Sequence, residues 1–412
     1  MTTMFVGIDA SKHTHQVLAM HQDGQEVASF QVVNNWPGAE HLCRHLVELA
    51  NSHRLDRLVV GIEATGIYSW HLTHYLRQAQ NLAPLKPLVQ TFNPKVIQGF
   101  KKAYPELPKT DKVDAWIIAD RLRFGRLPAS TALEDRYEAL RRLTRHRFHL
   151  VSDLVRSKQR FLNALFLKFS SFIQDKPFDQ PFGTAALDII LGEEGPEALV
   201  STPLEELTTR LIRLSHGRFQ NPEKVAAAVQ KAARSSYRLP KAMADPVNLE
   251  LATNFRLIRT LESQIKALDK PIGELLATIP NTLQSVKGIG PVFAAGIIAE
   301  IGDIWRFPNH NALAKYAGLV WSRHQSGTYE SEHTRLAQSG NRYLRYYLVE
   351  AAASVAVHDA EFQLYYQRKR SEVKIHAHKR ALALTARKLV RLVDHLLRSN
   401  QLYNPSGPPR RR

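Results

Sequence analysis

Three short apolar strands in succession, followed by alternating helix and strand, predict an α/β domain of the RNase H-like type at the N-terminus, an order that other mixed α/β folds share in part. Two long apolar stripes at helical spacing predict a paired helical region after it. A glycine turn leading into a helix of small residues predicts a mostly α C-terminal domain with a helix-hairpin-helix.

Residues 4–10 (MFVGIDA) form a short apolar strand ending in an acid. Residues 15–22 and 26–33 alternate like half-buried strands around the turn Asp23-Gly24, so the chain opens with a three-strand meander. Trp36-Pro37-Gly38 breaks the pattern, and Leu42, Leu46 and Leu49 give 38–52 helical spacing. RLVVGIEA at 57–64 is a buried-type strand that again ends in an acid; a helix is expected from about Ile67 to Gln80, and PLKPLVQ at 84–90 is the fifth strand candidate. Residues 93–103 and 111–125 are predicted helices.

Beyond them, Leu133, Tyr137, Leu140, Leu143, Val151, Leu154, Phe161 and Leu165 mark one long helical stripe. Leu251, Phe255, Ile258, Leu261, Ile265, Leu268, Ile272 and Leu275 mark a second, close to a heptad seam. They fit an antiparallel coiled-coil pair, an oligomer interface, or two helices of an ordinary bundle. Between them, about 176–245 is first rich in Pro and Gly, then helical, and is expected to be an insertion. Further helices are expected at 311–321, 340–358 and 376–398. The resulting domains are 1–130, 131–278, 279–400 and a basic tail at 401–412.

The chain of 412 residues carries 56 Lys+Arg against 38 Asp+Glu, 56 − 38 = +18. The excess is clustered: residues 141–160 hold seven Lys/Arg and one acid, and residues 365–388 hold eight and one. Such clusters attract a polyanion by releasing its counterions, and nucleic acid is the expected partner. A single cysteine, Cys43, excludes an internal disulfide and a cysteine-based zinc cluster. No run of 18 apolar residues predicts a membrane span, and MTTMFVGIDASKH does not read as a signal peptide, so a cytoplasmic, nucleoid-associated protein is expected.

The chemistry is expected in four acids. Asp9 and Glu63 end two strands, and Asp111 and Asp114 lie three apart on one helix face in KTDKVDAW. Four carboxylates brought together repel unless cations sit among them, and Mg2+ (or Mn2+) suits an all-oxygen set. Two such ions roughly 3.5–4 Å apart would clamp the attacking and leaving oxygens of a phosphodiester. Asp120 continues the helix but falls off the 111/114 face. In Val286-Lys287-Gly288-Ile289-Gly290-Pro291, the backbone N–H groups of the glycine turn at a helix start can hold a DNA phosphate without reading sequence, which makes Lys287, Gly288 and Gly290 candidate DNA contacts.

FVGIDASKHTHQV, VVGIEATGIY, FNPKVIQGFKKA with KTDKVDAWIIADRL, and the C-terminal IPNTLQSVKGIGPVFAAGIIAEIGD, LAKYAGLVWSRHQSGTY and SGNRYLRYYLVEAA together resemble the insertion-sequence-110 (and 1111 subgroup) DEDD transposases, cousins of the Piv-type DNA invertases. The resemblance covers the first 125 residues and roughly 279–358. It implies a RuvC-like N-terminal domain, a coiled-coil linker and a C-terminal transposase domain. It also implies a recombinase that cuts and rejoins double-stranded donor and target DNA, guided by a structured bridge RNA and working as a homo-oligomer, dimer to tetramer. The family's four acids fall on Asp9, Glu63, Asp111 and Asp114. Its catalytic serine, in R-x-x-S-G, falls on Ser326 of Arg323-His324-Gln325-Ser326-Gly327, with Ser322 as fallback. Arg323 and His324 become candidate phosphate contacts. The family pattern places acids and serine from different protomers in one site.

Weaker candidates are His41, Cys43 and His45, metal-like by composition but without a third ligand in sequence reach, and His13 and His15 near Asp9. Tyr343, Tyr346 and Tyr347, interleaved with Arg342 and Arg345, fit either base stacking or core. Three functions compete: an RNA-guided transposase, a Piv-type invertase with the same acids and serine, and a RuvC-like nuclease or non-catalytic binder. Intact acids speak against the binder, and a serine nucleophile against a water-using nuclease.

Overall fold

The computed structural model describes residues 2–64, 66–127, 134–192, 194–322, 325–326, 329–330, 335–337 and 339–405, with side chains left out from 322 to 335. It divides into two compact units, Met1–Ala132 and Leu133–Arg412.

The first unit is a five-stranded mixed sheet in the order β3-β2-β1-β4-β5, built from β1 (Thr3–Ala10), β2 (Thr14–His21), β3 (Glu26–Val33), β4 (Arg57–Glu63) and β5 (Leu88–Phe92). The meander β1–β3 is antiparallel, and β4 and β5 run parallel to β1, an arrangement consistent with an RNase H-like domain. The alternation in the strands sorts the two faces. Met4, Val6 and Ile8 of β1 pack with Leu42 and Leu46 of α1 (Trp36–Ser52) and with Leu72 and Leu76 of α2 (Trp70–Gln78). Phe5 of β1 and Leu18 and Met20 of β2 face the other way. There they meet Ala115 and Ala119 of α4 (Asp111–Arg123), which α3 (Pro94–Lys101) precedes.

Three boundaries move, each for a local reason. Helix α1 begins at Trp36 because Pro37 needs no N–H partner in a first turn, and the Asn35 side chain caps it by accepting from Gly38 N at 2.9 Å. Helix α2 begins at Trp70, after a turn through 66–69, rather than at Ile67. The stretch expected to start β5 at 84 is a 3₁₀ turn, Gln80–Leu85, ended by Lys86 in the left-handed region at φ 45°, so β5 starts at Leu88.

The second unit is helical. Helix α5 (Asp135–Lys168) and the later α11 (Lys241–Ala277) lie side by side. Arg136 donates to Thr278 O at 3.1 Å, Arg147 meets Asp269 at 2.9 Å and Lys158 meets Glu262 at 2.8 Å, so the two run antiparallel. Between them lie α6 (Ser170–Asp175), α7 (Thr184–Leu191), α8 (Pro196–Ser201), α9 (Leu204–Ser215) and α10 (Pro222–Ser235), so that α6 precedes the insertion expected at about 176–245 and α11 begins within it. They build a separate core on the far end of the pair, where Phe161, Ile189, Leu211, Val229 and Leu251 pack together. The main core of the unit joins the near end of the pair to α12 (Pro291–Ile301), α13 (His310–Ala317), α14 (Arg342–His358), α15 (Ala360–Ser371) and α16 (Ala377–Ser399). Helix α13 ends at Ala317 instead of reaching 321, because Gly318 takes φ 70° and closes the helix, with Leu319 N donating to Ala314 O at 2.8 Å. No described helix is long and apolar enough to cross a membrane.

Candidate active site

Register places the acids. Asp9 lies on the same face of β1 as Phe5, the α4 face, and Glu63 follows Val59 and Gly61 on the α4 face of the neighbouring β4. Helix α4 comes unusually close to this face. A Cβ built on Gly7 would lie 2.0 Å from Ala115 O and 2.5 Å from Ala119 N, so only glycine allows the approach. The approach sets the first turn of α4 above the strand ends. Thr110 caps that turn by accepting from Val113 N at 3.3 Å, leaving Asp111 and Asp114 at the positive end of the helix dipole.

The four acids feel one another. Burial, then Asp114, Asp111 and Glu63, push the Asp9 carboxyl from 3.8 up to about 6, with Lys101 pulling the other way. Lys101, at the end of α3, places its ammonium 2.5 Å from Asp114 Oδ1. Sequence pattern singles out the acids but not this lysine, whose one signal is its place in FNPKVIQGFKKA just ahead of the acid pair.

All four donors are carboxylates, a hard-oxygen set that fits a divalent ion such as Mg2+, and Asp9 is raised first by burial and then by the other three acids. Among the described residues, no three acidic, imidazole or thiolate groups are already gathered around one point, and Lys101 supplies the cation at Asp114.

Other predicted residues separate from this cluster. Asp120 is only 2% exposed and structural, accepting from Tyr104 Oη at 2.5 Å and Arg123 Nε at 2.8 Å. His15 pairs with Ala10 across the ladder and so points to the face opposite Asp9. The ring planes of His41 and His45 are parallel at 6.0 Å, His45 meets Glu48 at 3.3 Å, and the Cys43 between them is buried.

In the second unit, Lys287 and Gly290 are exposed while Val286 and Ile289 between them plug the core. Gly288 takes φ 98°, and a Cβ there would meet Val355 Cα at 2.9 Å, so the turn is pinned against α14. The element ahead of this turn is a short 3₁₀ turn, Leu283–Ser285, where the sequence predicts the first helix of the hairpin. Ser326 lies in a two-residue strand, Gln325–Ser326, paired antiparallel with Tyr329–Glu330, and Ser322 pairs with Arg335 in a separate two-stranded ladder. Arg323 and His324 lie outside the described residues, as does the tail from 406.

The basic clusters divide. In 141–160, Arg145 clamps Glu300 with two bonds of 2.6 and 2.9 Å, Arg141 stands 3.8 Å from the same carboxylate, and Arg147, Arg156 and Lys158 are paired with Asp269, Asp153 and Glu262. Glu300, 0% exposed, also accepts from Asn341 Nδ2 at 2.7 Å. In 365–388, Arg368, Arg370, Lys374 and Lys379 are exposed and in no described ion pair. Tyr347 is core, its hydroxyl donating to Thr144 O at 2.6 Å, and Tyr343 packs edge-on to Phe148 under Arg145.

Two family profiles match the chain. One, described as "Transposase" for the DEDD group of IS110, covers residues 6–169; the other, "Transposase IS116/IS110/IS902 family", covers 281–367. An insertion element IS116 protein of Streptomyces clavuligerus is 28% identical over 98% of this chain and 97% of its own length. An insertion element IS900 protein of Mycobacterium paratuberculosis is 25% identical over 98% of each. A pilin gene-inverting protein of Moraxella lacunata is 23% identical, also over 98% of each.

Proposed function

We propose, from the premise that this chain carries both transposase domains of the IS110 family and is an enzyme acting on DNA, that it cuts and rejoins double-stranded DNA by serine transesterification at the four-acid cluster. The observation that carries this reading is the Asp9 carboxyl, pushed up to about 6 by burial first and then by three further acids from two other elements. Carboxylates set near one another in a half-buried place suit the cation or phosphate chemistry they would support.

In this reading Asp9, Glu63, Asp111 and Asp114 would hold Mg2+ or Mn2+, which when bound offsets negative charge at the scissile phosphate. Ser326 is the nucleophile. Its Oγ–P bond forms as the bond to the leaving strand breaks, and the leaving oxygen takes up the proton that serine loses, so the phosphodiester energy is kept for rejoining. The serine is supplied by a second protomer of a homo-oligomer, with acids from the first. Lys287 and the glycine turn at Gly288 and Gly290 hold the DNA backbone, and a bridge RNA supplies sequence recognition.

The test is cleavage of a supercoiled donor plasmid. Asp9→Ala and Asp114→Ala should each lower cleavage by at least about a thousandfold while DNA binding holds; equal loss of both would make the acids structural. Ser326→Ala should abolish the covalent protein–DNA adduct, and an adduct that persists would move the role to Ser322 or to water. Sequencing the RNA that co-purifies with the chain tests the guide.

The full-length match to a pilin gene-inverting protein favours a second reading, inversion of a fixed segment. Recombination between inverted sites that continues after the RNA is digested would select it.

A further inference from the structure

On the sheet face opposite the acids, a cavity of about 620 Å³ opens between the start of α1 and α2. Its walls are aromatic: Trp36, 67% exposed, stands edge-on to Tyr75 at 4.9 Å, and Trp70 lies parallel to His74 at 5.2 Å and 11°. At its base sits His15, 1% exposed, with no well-formed hydrogen bond at either ring nitrogen. A buried imidazole whose ring nitrogens lack a well-formed hydrogen bond costs free energy that a ligand edge could recover.

We propose that this cavity is a binding site for a single unpaired nucleobase of RNA or single-stranded DNA, stacked against Trp36 and Trp70 and read at its edge by His15. Flat aromatic walls suit a flat ligand, and base–aromatic stacking is the usual way a protein holds an unstacked nucleotide. Burial pushes the imidazole below its usual range, against a smaller opposing effect of Asn34, so the neutral ring offers one N–H donor and one acceptor, as a base edge does. Asn34 ties the rim together, donating from Nδ2 to Ser11 O at 3.0 Å, Lys12 O at 3.4 Å and Tyr68 O at 3.2 Å. The same bonds bring the backbone of the exposed Lys12 to the rim, in a chain whose net charge of +18 favours a polyanion. This inference rests on the reading that the chain handles nucleic acid, and not on its cleavage chemistry.

The test titrates the full chain with a short oligoribonucleotide, its deoxy counterpart and the matching duplex, following tryptophan fluorescence. Quenching by the single strands and little by the duplex is expected. Trp36→Ala should weaken single-strand binding roughly fivefold to a hundredfold and remove part of the quench. Because Trp36 is exposed, this variant keeps the test sound should Trp70→Ala fail to fold. The cleavage-dead Asp9→Ala should bind and quench like the parent, so failure of the catalytic reading and failure of this one are distinguishable. Tighter binding of the ribo-oligomer would assign the base to RNA; equal or tighter deoxy binding would assign it to a DNA strand. Unchanged affinity and quench in Trp36→Ala would overturn the proposal, as would a shift in sedimentation with no change in oligomer binding, which would make the patch a contact between copies.

Discussion

Two acid centres in this chain are built in opposite ways. Glu300 is sealed in the second unit and fully answered: two bonds from Arg145, one from Asn341 and Arg141 close by. Asp9, half-buried in the first unit, has three acids for neighbours and a lysine that is spent on Asp114. A satisfied buried charge holds a fold together, whereas acids set near one another in a half-buried place are a cost the fold carries for something it binds. That difference is why the proposed chemistry is placed in the first unit and a structural role in the second, although both are acids near basic residues in sequence.

Breaking the Glu300 centre should give the largest stability effect. Glu300→Ala takes the carboxylate from the half-exposed Arg145 and from the Asn341 amide and should cost about 1.5–3 kcal/mol, read as a lower denaturant midpoint. A variant that loses less than about 1 kcal/mol would erase the contrast. Asp9→Asn should go the other way. Because the folded chain holds the Asp9 proton more tightly than the unfolded one, stability falls as pH rises from 3.8 to about 6. The amide removes that loss, so at pH 7 the variant should gain roughly 1–2 kcal/mol after allowance for solvent screening, and nothing below about pH 4.

Lys101→Met sharpens the comparison from inside the four-acid cluster. With the ammonium gone from Asp114, the concentration of Mg2+ needed to raise the melting temperature should fall by about threefold to tenfold. A higher Mg2+ requirement would mean that Lys101 organises the acids instead of competing for them. The smallest effect belongs to the basic clusters. Removing charge at Arg370, Lys374 and Lys379 should reduce the salt slope of DNA or RNA binding by about one for each phosphate no longer neutralised. Removing Arg147 should change stability and leave that slope alone, since its charge is spent on Asp269.

These contrasts also explain what the sequence can and cannot reveal. The strand-end acids and the pair at 111 and 114 are legible because alternation along β1 and β4 and the i, i+3 rule fix which face each side chain takes. The closeness of α4 to the sheet is hidden in Gly7, which reads as any strand glycine until its neighbours are known. The seven cations of 141–160 look like a nucleic-acid surface because charge in sequence carries no direction. The partners of three of them, Glu300, Asp269 and Glu262, lie more than 100 residues further along. The aromatic cavity escapes for the same reason: Trp36, Trp70 and His15 come from three elements and share no motif.

The antiparallel run of α5 and α11 has one more consequence. Arg136 touches the carbonyl of Thr278 across a sequence separation of 142 residues, so the polypeptide leaves and re-enters the main core of its second unit at almost the same spot. Everything in between is a detour with adjacent entrance and exit. A bridge of a few residues could close that gap, making the arm and its helical tip a detachable module whose length can be trimmed or exchanged while the core beneath keeps its connectivity.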